Sequence, residues 1–109
     1  MPDYDIFTVA APASNHFPRL QCRYGFDNFT YKMVSNRTTI GRERDNNLIL
    51  NHPTVSKHHA EILSTSSGFE IIDKGSTNRL IVNGKFYQQT KLRNGDIIGL
   101  GEAVLTFNI

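Results

Sequence analysis

A single cysteine, Cys22, stands among the 109 residues, so no intrachain disulfide closes and no thiolate metal site forms. Long apolar runs are missing as well. Hydrophobic residues make up 39% of the chain, enough for one core, but no run approaches the ~20 residues of a membrane-spanning helix. The opening stretch MPDYDIFTVAAPAS places Asp3 and Asp5 where a secretory signal carries positive charge, and its apolar part is short. A cytoplasmic setting is the expectation, with a nuclear one left open for a eukaryotic protein. Excess charge of one sign is also lacking. The formal net charge of +2 is too mild to argue for nucleic acid by itself. Nor does any stretch keep apolar residues at helical spacing long enough to support a helix.

What is present reads as all-β. Short runs rich in Ile, Val, Phe, Tyr and Thr are interrupted by Gly, Asn, Asp, Ser and Pro at the spacing of a sandwich or barrel. The pattern predicts strands at Arg19–Tyr24, Phe29–Val34, Thr38–Gly41, Leu48–Leu50, Ala60–Ser64, Phe69–Asp73, Leu80–Val82, Lys85–Leu92, Ile97–Leu100 and Val104–Asn108. Asn83-Gly84 and Asn94-Gly95 are hairpin signals, because both central residues of a type I′ turn need positive φ. The stretch STSSG is a further hairpin connection. Residues 1–17 are small, polar and proline-bearing toward their end and read as an arm or linker, with Tyr4–Phe7 able to add an edge strand. Residues 18–109 form the expected domain. The chain stops directly after an apparent strand, which fits either a module boundary or one module of a larger protein or complex.

Charge distribution says more than the sum. From Arg37 to Lys57 the cations Arg37, Arg42, Arg44 and Lys57 face only Glu43 and Asp45, and Lys74 and Arg79 add two more in a later loop. Gly41-Arg42 ends a strand, where glycine permits a sharp turn and arginine presents a planar fork of donors suited to phosphate or carboxylate. Ser56 precedes His59 by three residues. That spacing raises the thought of a hydrolase, but there is no G-x-S-x-G elbow and no helix behind the serine. At a loop end, the hydroxyl is instead a good donor to a phosphate oxygen, with Lys57 beside it as a point charge. His52, His58 and His59 fit no zinc spacing. A structural role suits His59, whose two ring nitrogens can tie two loop backbones together, while His58 is expected to be exposed. Ser76, Thr77 and Asn78 are turn residues, yet such a run beside Lys74 and Arg79 also makes a rim for a polar ligand.

Gly41-Arg42, then Ser56-x-x-His59, then DKGSTNRLIVNG, resembles in order and spacing the forkhead-associated (FHA) domain, from about Arg19 to the end of the chain. The resemblance implies an FHA-type β-sandwich of eleven strands that binds phosphothreonine peptides through loops at one end. Carried over by position, Arg42 and Ser56 hold the phosphate oxygens, Lys57 assists, Thr77 faces the phosphothreonine and Asn78 bonds the ligand main chain. Gly41, His59, Asn83 and Gly84 are architectural, and a small pocket for the methyl favours threonine over serine. Arg79 stands where the family commonly has glycine, and is expected at the rim of the groove, favouring acidic residues just after the phosphothreonine. The implied function is reversible recognition of phosphorylated partners in Ser/Thr-kinase signalling or assembly, with no cofactor, no metal and no catalysis. Charge-assisted hydrogen bonds of about 1.5–3 kcal/mol each, less the cost of ordering a peptide, suit roughly micromolar affinity. The alternatives are an FHA-fold structural or assembly module without phosphopeptide binding, gaining weight if Arg79 blocks the groove, and a nucleic-acid binder. The second lacks aromatics interleaved with the cations.

Overall fold

The computed structural model describes residues 17–109, in which eleven strands and no helix form. In chain order these are β1 (Arg19–Tyr24), β2 (Asp27–Lys32), β3 (Arg37–Gly41), β4 (Leu48–Ile49), β5 (Ala60–Thr65), β6 (Gly68–Asp73), β7 (Leu80–Val82), β8 (Lys85–Tyr87), β9 (Gln89–Leu92), β10 (Ile97–Leu100) and β11 (Ala103–Asn108). The N-terminal arm, with its expected edge strand at 4–7, lies outside the described residues.

Alternation explains why these segments pack as two layers. In β1, Leu20 and Cys22 are buried while Arg19, Gln21 and Arg23 face out; in β11, Ala103, Leu105 and Phe107 are buried between half-buried neighbours. A period of two puts one face of each strand into a core. One sheet has the order β2-β1-β11-β10-β7-β8 and the other β4-β3-β5-β6-β9. Neighbours are antiparallel except β3 and β4, which run parallel. The inner faces meet through Leu20, Leu105 and Phe107 from the first sheet and Ile40, Ile62 and Ile71 from the second. Phe69 of β6 packs edge-on against Phe107 of β11, with ring centroids 5.2 Å apart. Cys22 belongs to this core, where burial pushes its thiol up to about 12. It is therefore a protonated, inert thiol at neutral pH.

Several strand limits shift by one or two residues, and the structure departs further from the pattern-based expectation in three places. β2 begins at Asp27, not Phe29, because the chain reverses within Gly25-Phe26, where Gly25 takes φ 57°, and sets Asp27 opposite Tyr24. The long strand expected over Lys85–Leu92 is two strands in different sheets: β8 pairs with β7, β9 pairs with β6, and the chain changes layer at Gln88. Asn83-Gly84 is a hairpin turn with φ of 50° and 84°, but at Asn94-Gly95 only the glycine is positive, at 90°. That second pair carries the chain from β9 in one sheet to β10 in the other, so it is no hairpin.

The connection after β4 is not a loose loop. Leu50 and Val55 within it are fully or nearly fully buried, and each such side chain stabilises its segment by roughly 1.5–3 kcal/mol. Ser56 follows directly on Val55, so its position is set by the core.

Candidate functional site

Three connections meet at one end of the sandwich: β3–β4, β4–β5 and β6–β7. Backbone hydrogen bonds stitch the first two together. The Arg42 N–H donates to the Ser56 carbonyl at 3.0 Å, and the Glu43 N–H to the Lys57 carbonyl at 3.3 Å. Gly41 makes this possible for a reason different from the expected turn. It is not among the glycines with positive φ. Its requirement is close approach: a Cβ there would sit 2.2 Å from the Lys57 carbonyl oxygen and 2.8 Å from Asn46 Nδ2. Asn46 adds a side-chain tie across the same gap, its Nδ2 donating to the carbonyls of Glu43 (2.9 Å) and Lys57 (2.8 Å). The motif spacing gave no sign of Asn46, whose role arises only when the two loops are brought side by side.

The β4–β5 and β6–β7 connections are joined by His59, which is wholly buried. Its Nδ1 accepts from the Ser56 N–H at 3.0 Å, and its Nε2 contacts the Arg79 carbonyl at 2.8 Å. A backbone N–H can only donate and a carbonyl can only accept, so the ring is the tautomer protonated at Nε2. His59 thus bonds one backbone group in each of the two connections. His58, next to it, points out and pairs with Asp45 at 2.9 Å. Two further bonds close the ring of loops. The Thr77 N–H donates to Ser56 Oγ at 2.9 Å, and Asn78 Nδ2 donates to the Thr54 carbonyl at 2.8 Å.

The result is an open groove of about 500 Å³ lined by Arg42, Thr54, Ser56, Lys57, Thr77 and Asn78 among others, with Lys74 and His58 at its sides. Of the six expected ligand residues, five line it. Arg79 does not. Its backbone takes φ 68°, and its guanidinium lies 4.9 Å from the centroid of Phe86, over the ring. The positive φ directs the side chain onto β8 and away from the groove, toward a separate cleft beside Tyr87 and Gln88. Asn83 and Gly84 are at the opposite end of β7. There Asn83 Nδ2 donates to Asp96 Oδ1 at 2.9 Å and its Oδ1 accepts from the Ile97 N–H at 2.9 Å, fixing the layer change before β10.

The chemistry on offer is anion binding. Ser56 Oγ accepts one bond from Thr77, and its hydroxyl proton remains free to donate outward. Among the described residues neither Arg42 nor Lys57 is in an ion pair. Lys74 is shared with Glu61 of β5, at 3.5 Å. Asn78 keeps one amide N–H and its carbonyl oxygen for a ligand after bonding Thr54.

The family model for the FHA domain matches residues 38–101. Glycogen accumulation regulator GarA of Mycolicibacterium smegmatis is 36% identical over 70 residues, covering 64% of this chain and 44% of that protein. The human angiogenic factor with G patch and FHA domains 1 is 42% identical over 85 residues, 68% of this chain and 12% of the relative. The chain thus spans less than half the length of these curated relatives. Among solved structures, one from a study of phosphothreonine-dependent FHA domain interactions superposes with a TM-score of 0.79 at 30% identity, covering 86% of this chain and 97% of that one. EmbR of Mycobacterium tuberculosis, solved with a low affinity phosphopeptide, also gives 0.79 at 30% identity, over 85% of this chain and 24% of EmbR. A motif set carried to one end of an eleven-stranded sandwich, and a family match over more than half of the chain, make this protein a member of the FHA domain family.

Proposed function

We propose that the groove binds phosphothreonine within a peptide or protein partner, as a reversible recognition module in Ser/Thr-kinase signalling or assembly. The observation that carries this is convergence. Arg42, Ser56, Lys57, Thr77 and Asn78 come from three connections and line one open groove rich in outward-facing donors. A phosphothreonine brings about −1.5 to −2 charge and three acceptor oxygens. In this reading Arg42 and the Ser56 hydroxyl hold the phosphate, Lys57 adds charge, Thr77 faces the phosphoresidue and Asn78 bonds the ligand main chain. Gly41 and His59 hold the loops, and Asn83 and Gly84 hold the frame. Binding alone is invoked, with no bond made or broken, in a cytoplasmic domain of residues 18–109 carried behind an arm of residues 1–17. The position of Arg79 over Phe86, outside the groove lining, supports an open groove over the purely structural alternative. In this reading Arg79 is not the source of an acidic preference. Titration of one peptide in phosphothreonine, phosphoserine and unphosphorylated forms tests the proposal. Affinity in that descending order supports it, and equal affinity for all three refutes it.

A further inference from the structure

Edge strands are where a sheet still offers unpaired backbone groups, and the edges of this sandwich are unequal. β4, β8 and β9 have two, three and four residues. β2 has six, and among the described residues its only strand neighbour is β1. Its register with β1 runs unbroken from Asp27 to Lys32, with neither a bulge nor a proline to blunt the edge. The Met33 N–H donates to the Pro18 carbonyl at 2.8 Å, which fixes the alternation. In an antiparallel pair every second residue bonds the partner strand. Asp27, Phe29 and Tyr31 therefore bond β1, and the N–H and C=O groups of Asn28, Thr30 and Lys32 point out of the sheet edge. Their side chains lean away from it. Gln21 of β1 draws two of them in: its Nε2 donates to Asn28 Oδ1 at 2.6 Å, and its Oε1 accepts from Thr30 Oγ1 at 2.6 Å. Lys32 Nζ lies 5.9 Å from the centroid of the Phe17 ring.

The sequence of the edge matches itself. A second β2 laid antiparallel must pair residues of equal parity, so that outward groups meet outward groups and inner faces stay on one side. The register that keeps the most such pairs within the strand sets Thr30 against Thr30 on a two-fold axis, Asn28 against Lys32 and Phe29 against Tyr31. Phe29 and Tyr31 are half-buried and pack on the margin of the core. Opposite one another they extend that core across the axis as aromatic cross-strand pairs. The same register sets Phe26 opposite Val34, two large apolar side chains that are 108% and 62% exposed in the single chain. No like charges meet, since Lys32 faces Asn28 and Asp27 faces Met33. We propose that the free edge of β2 is a self-association site, at which a second copy of this chain pairs antiparallel and joins two sheets into one. The contact is isologous, and one strand edge is small enough that association is weak and reversible. No groove residue lies on β2, so the inference is independent of what the groove binds, and the dimer carries two grooves for a partner with two sites.

Sedimentation velocity of the full chain tests this over a concentration range of about 5 to 500 μM, with an expected Kd on the order of 100 μM. Thr30→Pro deletes the outward N–H on both sides of the axis and keeps every backbone bond to β1, because an edge strand tolerates proline where its N–H faces solvent. It should weaken association about tenfold or more. Thr30→Lys keeps the N–H but sets like charges against each other, and should weaken association about fivefold. Ser66→Lys adds the same charge on the exposed β5–β6 turn and should change nothing. Melting curves establish that each variant is folded, and should Thr30→Pro melt early, Thr30→Lys decides. A wild type that stays monomeric throughout, a Thr30→Lys dimer as tight as the wild type, or equal weakening by Ser66→Lys overturns the inference. A wild type that dimerises yet binds no phosphopeptide leaves this inference standing and overturns the reading of the groove.

Discussion

At His59 both ring nitrogens are committed, one to the Ser56 N–H and one to the Arg79 carbonyl, inside a fully buried site. His59→Ala strands two backbone groups and leaves a cavity. We expect a loss of about 3 kcal/mol, read as a fall in Tm of roughly 10 °C or more; a wild-type melt would show that the ring ties nothing together. Gly41→Ala drives a methyl into the Lys57 carbonyl. Overpacking of this kind costs about 1–3 kcal/mol, and because Arg42 is the next residue, phosphopeptide affinity should fall with stability. Arg79→Gly acts the other way. Relief of a positive φ is worth about 1–2 kcal/mol, against about 0.5–1 for the lost stack on exposed Phe86. Its Tm should rise slightly and phosphopeptide affinity should stay within about twofold, whereas a tenfold loss would return Arg79 to the groove. The sequence marked all three positions as special. It did not show why Gly41 is needed, since the colliding carbonyl lies 16 residues further along the chain, between positions 41 and 57. Nor did it show where Arg79 points, since backbone φ sets that direction.

Strand β5 carries Glu61, a nearly buried carboxylate between Arg37 Nε at 2.9 Å and Lys74 Nζ at 3.5 Å. Burial pushes its pKa up, but the Arg37 hydrogen bond and the charges of Arg37 and Lys74 together outweigh burial and hold it below the ordinary 4.5. A carboxyl depressed in the folded state contributes stability that is complete above the unfolded value and is lost as pH falls through the folded one. The wild type should therefore melt above Glu61→Gln at neutral pH, and the gap should narrow as the pH drops below about 4.5. A gap independent of pH would mean that packing, not charge, gives Glu61 its effect. Lys74 also lines the groove, so the same strand couples the frame to the site. Strands β1, β7 and β10 have the limits their alternation announced. β8 and β9 were read as one because their residue types run on without a break. The layer change at Gln88 depends on the Gln88 carbonyl accepting from the Asp73 N–H at 2.8 Å, a partner on another strand.

Across the whole molecule, the sandwich gathers at one end residues that the chain holds apart. Arg42 and Asn78 line one groove although β4, β5 and β6 intervene. The individual side chains were legible because FHA-like motif order names them. Thr54 and Asn46 were not, because each acts through a hydrogen bond that exists only after the loops pack. If the ligand is a phosphate dianion, whose second pKa is near 6, affinity should weaken as pH falls through about 6, and a flat profile from pH 5 to 8 would exclude dianion selection. The central claim is that Arg42 and Ser56 bind the phosphate itself. Isothermal titration of a library-selected phosphothreonine peptide and its unphosphorylated twin into wild type, Arg42→Ala and Ser56→Ala tests it most directly. The expected result is phosphate-dependent binding by the wild type, weakened about 10- to 100-fold in each variant with Tm nearly unchanged. Binding by the wild type that ignores the phosphate, or that survives both substitutions, would contradict it.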